Sequence, residues 1–238
     1  MTAEPDRVVI VAAHNEADRI EPTLDALAEV LPGARLIVAD DASTDGTRER
    51  AMAHGAWLIS RRRPHRKGAN VTAAAEAVIG EFGDDTIVLL CDGDLGDSAR
   101  ELVPLVDAVE RGDSDLAVAK FADPQGGGFG FALGYARRAL ERETGLRLEA
   151  PLSGQRAMRI STLRELVPFA DGWGLELGMT IEASRAGKRI REVELPLAHR
   201  VRGRSPGDFV HRARQLMDFR RAVRERRQIA SPPDDPRD

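Results

Sequence analysis

The sequence predicts an α/β fold whose first half is organised around a parallel sheet. Short β-branched runs alternate there with helical patterns, which is how a parallel sheet with crossover helices reads. A chain of 238 residues, 42% hydrophobic and 31% charged, suits one folded unit of that class. Polar clusters follow the successive strand-like runs, and open α/β sheets bind their ligands beyond the carboxyl ends of parallel strands.

Residues 7–12 form an apolar run of strand length. Ile20, Leu24, Leu27 and Leu31 then recur as one helix face, and Pro22 is expected in that helix's first turn, where a missing N–H is tolerated. Further strands are expected at 36–39, 56–60, 86–91 and 115–120, with helices at 47–54, 70–80 and 98–111. After Phe121 the pattern breaks, and Asp123, Pro124, Gln125 and the glycines 126–128 read as a loop near a ligand. A helix over 131–143, a strand over 153–159, a helix over 175–186 ending near Gly187 and a strand over 189–195 follow. Loop 196–207 leads to a helix over 208–227, with Phe209, Ala213, Leu216 and Val223 near one face. The organisation is thus a domain over 1–207, a basic helix over 208–227 packed on it, and a disordered tail over 228–238.

Composition narrows the function classes. One cysteine, Cys91, excludes a disulfide framework and a multi-cysteine zinc site, so a reducing, cytoplasmic setting is the expectation. The net charge is −4 and aromatic residues make up 4%, which argues against nucleic acid and for small-molecule partners. No window approaches the roughly 18 apolar residues of a membrane span, and the acidic start lacks signal-peptide features. The charge is unevenly spread: residues 185–227 hold fourteen Lys and Arg against five Asp and Glu, while residues 1–184 carry a net −11.

Four polar clusters fall at the expected strand ends: Ala13-His14-Asn15-Glu16, Asp40-Asp41-Ala42-Ser43-Thr44-Asp45-Gly46, the basic loop 61–68 with Lys67 and Gly68, and Asp92-Gly93-Asp94. Two carboxylates flanking a glycine can hold a hard divalent cation while the glycine lets a phosphate-bearing ligand approach the backbone. Such a cation bridges the phosphates of a nucleoside diphosphate and stabilises a leaving group. Asp40 and Asp41 can accept hydrogen bonds from a uracil imide or a ribose hydroxyl, and Lys67 with Arg61, Arg62, Arg63 and Arg66 can attract a diphosphate. The same residues admit plainer roles: strand ends and helix caps for the aspartates, with Ser43, Thr44 and Asp45 as caps, and a solvated loop for the arginines.

In order and spacing, residues 8–16, Asp40 to Thr47, Lys67-Gly68-Ala69 and Cys91 to Leu95 resemble the start of family 2 glycosyltransferases with the GT-A fold, which implies an α/β fold with a Rossmann-like nucleotide-binding half and a mixed, mostly parallel central sheet. The usual opening motif there is Pro-Ala-Tyr-Asn-Glu, against Ala12-Ala13-His14-Asn15-Glu16 here. The second half is similar to phosphosugar-forming branches such as polyprenyl-phosphate glycosyltransferases and glucosyl-3-phosphoglycerate synthases. Leu152 to Ala157 resembles a segment shaping the sugar and acceptor pocket, and Gly174 to Gly178 followed by His199 resembles the pattern of a donor-contacting acid and a metal-completing histidine.

The resemblance implies a metal-dependent transfer of a hexose from a nucleotide sugar, with a UDP-sugar expected, to a phosphate-bearing acceptor, either a polyprenyl phosphate or a small phosphorylated metabolite. It implies Mg²⁺ or Mn²⁺ held by Asp92, Asp94 and His199. Donor binding falls to Ala13, Asn15, Glu16, Asp40, Asp41, Lys67, Asp92 and Gly93, and sugar or acceptor binding to Gly154, Gln155, Arg156, Arg202 and Arg204. Glu176 and Asp94 are the catalytic candidates. Glu176 can instead simply occupy a helix's first turn, and His199 the surface. The basic C-terminal helix can be a solvated face or hold the protein against anionic lipid at the inner face of the membrane. A nucleotidyltransferase and a non-catalytic nucleotide-sugar-binding protein are the alternatives, and the oligomeric state is left open, a homodimer included.

Overall fold

The computed structural model describes residues 7–60, 66–122, 130–197 and 217–224. Seven strands form one sheet: β1 (Arg7–Ala13), β2 (Arg35–Asp40), β3 (Trp57–Ser60), β4 (Ile87–Asp92), β5 (Leu116–Phe121), β6 (Arg156–Arg159) and β7 (Ile190–Leu195). Their order is β3-β2-β1-β4-β6-β5-β7, with β6 antiparallel to both neighbours and the other pairings parallel. The chain winds outward from β1 through β2 and β3, then returns to place β4 on the other side of β1. That reversal opens a crevice at the carboxyl ends of β1 and β4. Register sets what faces it: Ala13 pairs with Asp40, and Ala12 with Asp92.

Alternation along the strands sorts two cores onto opposite faces of the sheet. Val9, Val11, Val38, Leu89, Cys91 and Ala117 pack beneath α1 (Ala17–Val30), the 3₁₀ segment Gly96–Leu102 and α4 (Val103–Glu110). Val8, Ile10, Ile37, Val88, Leu90 and Val118 pack beneath α3 (Arg66–Glu81), α6 (Ile160–Leu166) and α7 (Leu175–Arg185). A third cluster joins α5 (Gly130–Thr144) to Leu177 and Ile181 on the other side of α7, with Phe219 and Val223. Sandwiched between two clusters, α7 is buried nearly all round from Leu175 to Ile181, so an acid in its first turn cannot be a solvated surface residue. Residues 217–224 are helical, with Phe219, Ala222 and Val223 buried and Arg220 and Arg224 exposed. Among the described residues no helix is long and apolar enough to cross a membrane.

Several expected boundaries shift for local reasons. Helix α1 starts early enough that Pro22 lies in its second turn, not its first, on the exposed side of the helix. The helix expected over 98–111 is instead a 3₁₀ segment followed by α4, which restarts with Pro104 in its first turn. The strand expected over 153–159 contracts to β6, because Arg156 turns back to the carbonyls of Pro151 and Ser153. Helix α6, unassigned from the sequence, has only seven residues and too short a period to register. Thr47–Ala53 forms α2 as expected.

The largest shift concerns α3. It begins at Arg66, so Lys67 and Gly68 stand in its first turn and not in a loop. Close approach explains the glycine: a Cβ at Gly68 would lie 2.1 Å from the Ala170 carbonyl oxygen. Gly68→Ala should therefore cost about 1–3 kcal/mol or more by overpacking, and should weaken ligand binding by shifting Lys67. A urea melt within a few tenths of a kcal/mol of the native chain contradicts this packing.

Candidate active site

The Asp92-Gly93-Asp94 turn is fixed from two sides. The Gly93 N–H donates to the Ala12 carbonyl at 2.8 Å, continuing the β1–β4 ladder beyond its end. From α1, the fully buried Thr23 hydroxyl shares its proton between the Gly93 carbonyl at 3.0 Å and the Arg19 carbonyl at 2.9 Å, and accepts the Gly96 N–H at 2.8 Å. Arg19 Nη1 donates to the Asp94 carbonyl at 2.9 Å. Every backbone group named here has a protein partner, so the turn is held without ligand.

Three segments converge on Asp92 at the end of β4. Lys67 Nζ, from the first turn of α3, lies 2.6 Å from Asp92 Oδ1 and 3.0 Å from Glu176 Oε1, in the first turn of α7. Gln155 Nε2, just before β6, donates to Asp92 Oδ2 at 2.8 Å, and Ser153 Oγ donates to Gln155 Oε1 at 3.1 Å. A Cβ at Gly154 would stand 2.8 Å from Asp92 Oδ2 and 2.9 Å from Lys67 Nζ, so only glycine lets this backbone lie flush against the pair. The Glu176 side chain is 6% exposed, Lys67 30%. Burial alone would lower the Lys67 pKa, but the carboxylates of Asp92 and Glu176 beside it hold it above the ordinary lysine range. Burial, chiefly, also pushes the Cys91 thiol up, which keeps it inert.

Asp94 is half-buried, and its carboxylate has no hydrogen bond or ion pair among the described residues. Two carboxylates two residues apart on a pinned turn, one of them without a protein donor, are a fitting donor set for a hard divalent cation. Among the described residues no group of three His, Cys, Asp or Glu side chains gathers as a complete cation site. His199, the expected third ligand, lies outside the described residues, as do Arg202, Arg204, Arg61, Arg62, Arg63 and the glycines 126–128.

With this arrangement in place, the chain can be set beside known proteins. The sequence profile of Glycosyl transferase family 2 matches residues 8–167. The chain belongs to this family. Glucosyl-3-phosphoglycerate synthase of Mycolicibacterium paratuberculosis is 33% identical over 198 residues, covering 73% of this chain and 58% of that protein's length. Undecaprenyl-phosphate mannosyltransferase of Micrococcus luteus is 30% identical over 213 residues, covering 83% of this chain and 86% of its own. The crystal structure of the Mycobacterium tuberculosis glucosyl-3-phosphoglycerate synthase with Mn²⁺, UDP-glucose and phosphoglyceric acid superposes with a TM-score of 0.72 at 28% identity, covering 91% of this chain and 79% of that one. The fold is therefore the GT-A arrangement that the motifs implied.

In this family 2 chain the strand-end clusters interlock. The amides that open α1 are capped by the loop after β2: Asn15 N–H donates to Ser43 Oγ, Glu16 N–H to Thr47 Oγ1 and Ala17 N–H to Asp45 Oδ2, at 2.9, 2.9 and 3.1 Å. Ser43 and Asp45 thus cap a helix distant in sequence, although Asp45 also accepts the Thr47 N–H at the start of α2. Asn15 Oδ1 returns the link by accepting the Thr44 N–H at 2.9 Å. Asn15 and Ala42 both adopt left-handed backbone, φ 55° and 56°, which is rare for alanine and marks a loop constrained by its surroundings. Ala13 is buried, its carbonyl accepting the Asp41 N–H at 2.9 Å.

Two expected ligand contacts face inward. Asp40, fully buried, accepts from Arg48 Nε at 2.7 Å, Ser60 Oγ at 2.9 Å and the Ser43 N–H at 3.2 Å, which leaves half-buried Asp41 nearer the ligand side; Asp41 Oδ1 accepts from Asn70 Nδ2 at 2.7 Å. Arg156, fully buried, donates to the carbonyls of Ser153 and Pro151 at 2.8 and 2.9 Å and to Thr180 Oγ1 at 2.9 Å, while Thr180 Oγ1 donates to the Glu176 carbonyl. It braces the walls that carry Gln155 and Glu176 from behind. Thr23, Arg19, Asn70 and Thr180 carry no signal of a site in the sequence, since each has the pattern of an ordinary helix residue until the neighbour it faces is known.

Burial alone would raise the Asp40 pKa, but hydrogen bonds from Ser43, Ser60 and Arg48 hold it below the ordinary aspartate value of about 3.9. A depressed folded pKa contributes stability that is present above the unfolded pKa and lost as pH falls through the folded one. Asp40→Asn should therefore destabilise the protein at pH 7, with the difference from the native chain shrinking as pH falls below about 4. Urea melts across pH 7 to 3 test this, and a difference constant over that range contradicts it.

Proposed function

We propose that this chain transfers a hexose from a nucleotide sugar, a UDP-sugar foremost, to a phosphate-bearing acceptor, with Mg²⁺ or Mn²⁺ as cofactor. The observation that carries this reading is the Asp92–Lys67–Glu176 constellation, together with an Asp94 carboxylate that has no partner among the described residues, at the β1–β4 crevice of a family 2 fold. The mycobacterial synthase that binds Mn²⁺, UDP-glucose and phosphoglyceric acid supports the donor and cofactor, and the undecaprenyl-phosphate mannosyltransferase supports an acceptor phosphate on a lipid. Because the chain spans 58% of the first relative's length, the acceptor is assigned here by chemical class alone.

Asp92 and Asp94, with His199, would hold the cation, which when bound supplies Lewis-acid stabilisation of the departing diphosphate. Lys67 pairs with the diphosphate from α3, adding a fixed positive charge where negative charge develops. Asn15, Glu16 and Asp41 bind the nucleotide part, and Gly93 and Gly154 keep the backbone low on either side of the donor. Gln155 and Glu176 line the sugar. The bond between the anomeric carbon and the diphosphate oxygen breaks, and a bond to the acceptor oxygen forms. An acceptor phosphate attacks as the anion it already is at pH 7, whereas an acceptor hydroxyl must lose a proton, for which Glu176 is the base within the site. Arg202 and Arg204 would meet the acceptor phosphate, as guanidinium groups match its oxygens bidentately. The exposed Arg220 and Arg224 on the helical residues 217–224 suit contact with an anionic membrane surface if that acceptor is a lipid.

With Mn²⁺ present, UDP-glucose or another UDP-sugar at about 100 times its Kd should raise Tm by roughly 5–10 °C, and the donor should be slowly hydrolysed to UDP. No response to any nucleotide sugar contradicts the proposal. Asp94→Ala should lower turnover by about 10²-fold or more with an unchanged circular dichroism spectrum. Mass spectrometry of products from phosphoglycerate and polyprenyl phosphate decides between the acceptor classes. Pyrophosphate release from UTP and a sugar phosphate would instead mark a nucleotidyltransferase.

A further inference from the structure

We infer that Lys67 sets the selectivity of the cation site: by keeping Asp92 paired in the donor-free protein, it turns away a free divalent cation and admits one that arrives with a diphosphate. This deepens the transferase reading and rests on it for the identity of the diphosphate.

Both oxygens of Asp92 are engaged by protein donors, Oδ1 by Lys67 Nζ at 2.6 Å and Oδ2 by Gln155 Nε2 at 2.8 Å. A cation that uses Asp92 must therefore displace or crowd an ammonium group already in contact with it. Retreat of Lys67 would also strip Glu176 of its 3.0 Å partner, and Glu176 is too buried for water to take that place fully. Removing one member of a buried ion pair is costly because the other charge is left uncompensated. A bare cation offers nothing in return, since it repels Lys67 wherever the ammonium goes. A diphosphate does: its oxygens give Lys67 a new anionic partner, and the freed Asp92 carboxylate turns to the cation. Lys67, being 30% exposed, already stands at the boundary where this exchange can occur.

Among the described residues, the backbone before β6 closes one side of the pair. The Gly154 backbone lies against the pair so closely that a Cβ there would sit 2.9 Å from Nζ. Asp92 and Glu176 would lose the ammonium they share if Lys67 were replaced by a neutral residue, and the pull of Asp92 on a free cation would rise. Cation and diphosphate are thus coupled through Lys67 beyond their own association in solution, and such coupling is reciprocal.

The test uses the full chain and reads binding, not turnover. Free Mn²⁺ is followed by electron paramagnetic resonance during titration of the native chain, Lys67→Met and Lys67→Arg, without nucleotide and then with saturating UDP. Lys67→Met should bind Mn²⁺ alone roughly tenfold more tightly than the native chain, on the strength of one removed like charge in contact with the site. UDP should strengthen Mn²⁺ binding by a smaller factor in Lys67→Met than in the native chain, and Lys67→Arg should behave as the native chain does. Unchanged or weaker binding of Mn²⁺ alone by Lys67→Met overturns the inference. If that variant does not fold, Lys67→Gln, which loses the charge but keeps a donor for Asp92, gives the same comparison. The two readings fail separately: a native chain indifferent to UDP-sugars sinks the transferase reading, whereas a UDP-sugar response with unaltered Mn²⁺ affinity in Lys67→Met sinks only the role given to Lys67.

Discussion

One ammonium group holds three separate pieces of this fold to a common point. Lys67 Nζ contacts Asp92 at the end of β4 and Glu176 in α7, residues that lie 25 and 109 positions away in the chain. For that meeting to occur, α3 must start early enough to bring Lys67 into its first turn, which requires Gly68 to slide beneath the Ala170 carbonyl. Helix α7 must be clamped from both sides so that Glu176 stays buried, and the two apolar clusters along its length do that. The site is therefore a consequence of packing at some distance from it, and a change at Gly68 reaches the crevice through the helix it sits on.

The nucleotide side of the crevice is built by a different principle, with hydrogen bonds across loops in place of a charge pair. Asn15 and the loop after β2 each supply what the other lacks: three unpaired amides at the head of α1 find oxygens of Ser43, Thr47 and Asp45. A helix N-terminus must have such partners or lose about 1 kcal/mol for each cap removed. Here the caps come from the neighbouring loop, so folding of one loop depends on the other and both are set before any ligand arrives. The left-handed Ala42 shows the constraint that results: the loop keeps a backbone conformation its own residue disfavours.

The sheet was legible because its strands announce themselves. β1, β2, β4 and β5 are buried on both faces and read as continuous apolar runs, and the acids that end β2 and β4 stand at the expected edge. The role of each acid was less legible. Asp40 and Asp41 are adjacent and chemically alike, yet register against Ala13 turns Asp40 toward Arg48 and Ser60 while Asp41 meets Asn70 on α3. Only the pairing of strands decides that, and no local pattern encodes it. The same holds for Thr23, whose hydroxyl fixes the Gly93 carbonyl: its spacing is that of a core-facing helix position, and its polarity acquires meaning only because β4 ends beside α1. A basic, Gly-containing stretch such as the one around Lys67 has the local signature of a loop, and tertiary packing overrides that signal.

Arg156 illustrates what burial does to a charge when it is placed with purpose. Its three contacts are uncharged oxygens, and burial pushes its pKa down to about 10 against the attraction of Glu176 and Glu192, which keeps it protonated at neutral pH. A carboxylate in direct contact would have cancelled that charge locally. Satisfied by neutral acceptors, the guanidinium keeps its positive field directed at the acid-rich wall in front of it, in a medium that screens it weakly. When Lys67 exchanges Asp92 and Glu176 for a diphosphate, Arg156 stays and offsets from a distance only part of the charge that Glu176 then bears without a direct partner. The mobile cation at the front of the site can then be given up to the ligand because a fixed one stands at the back.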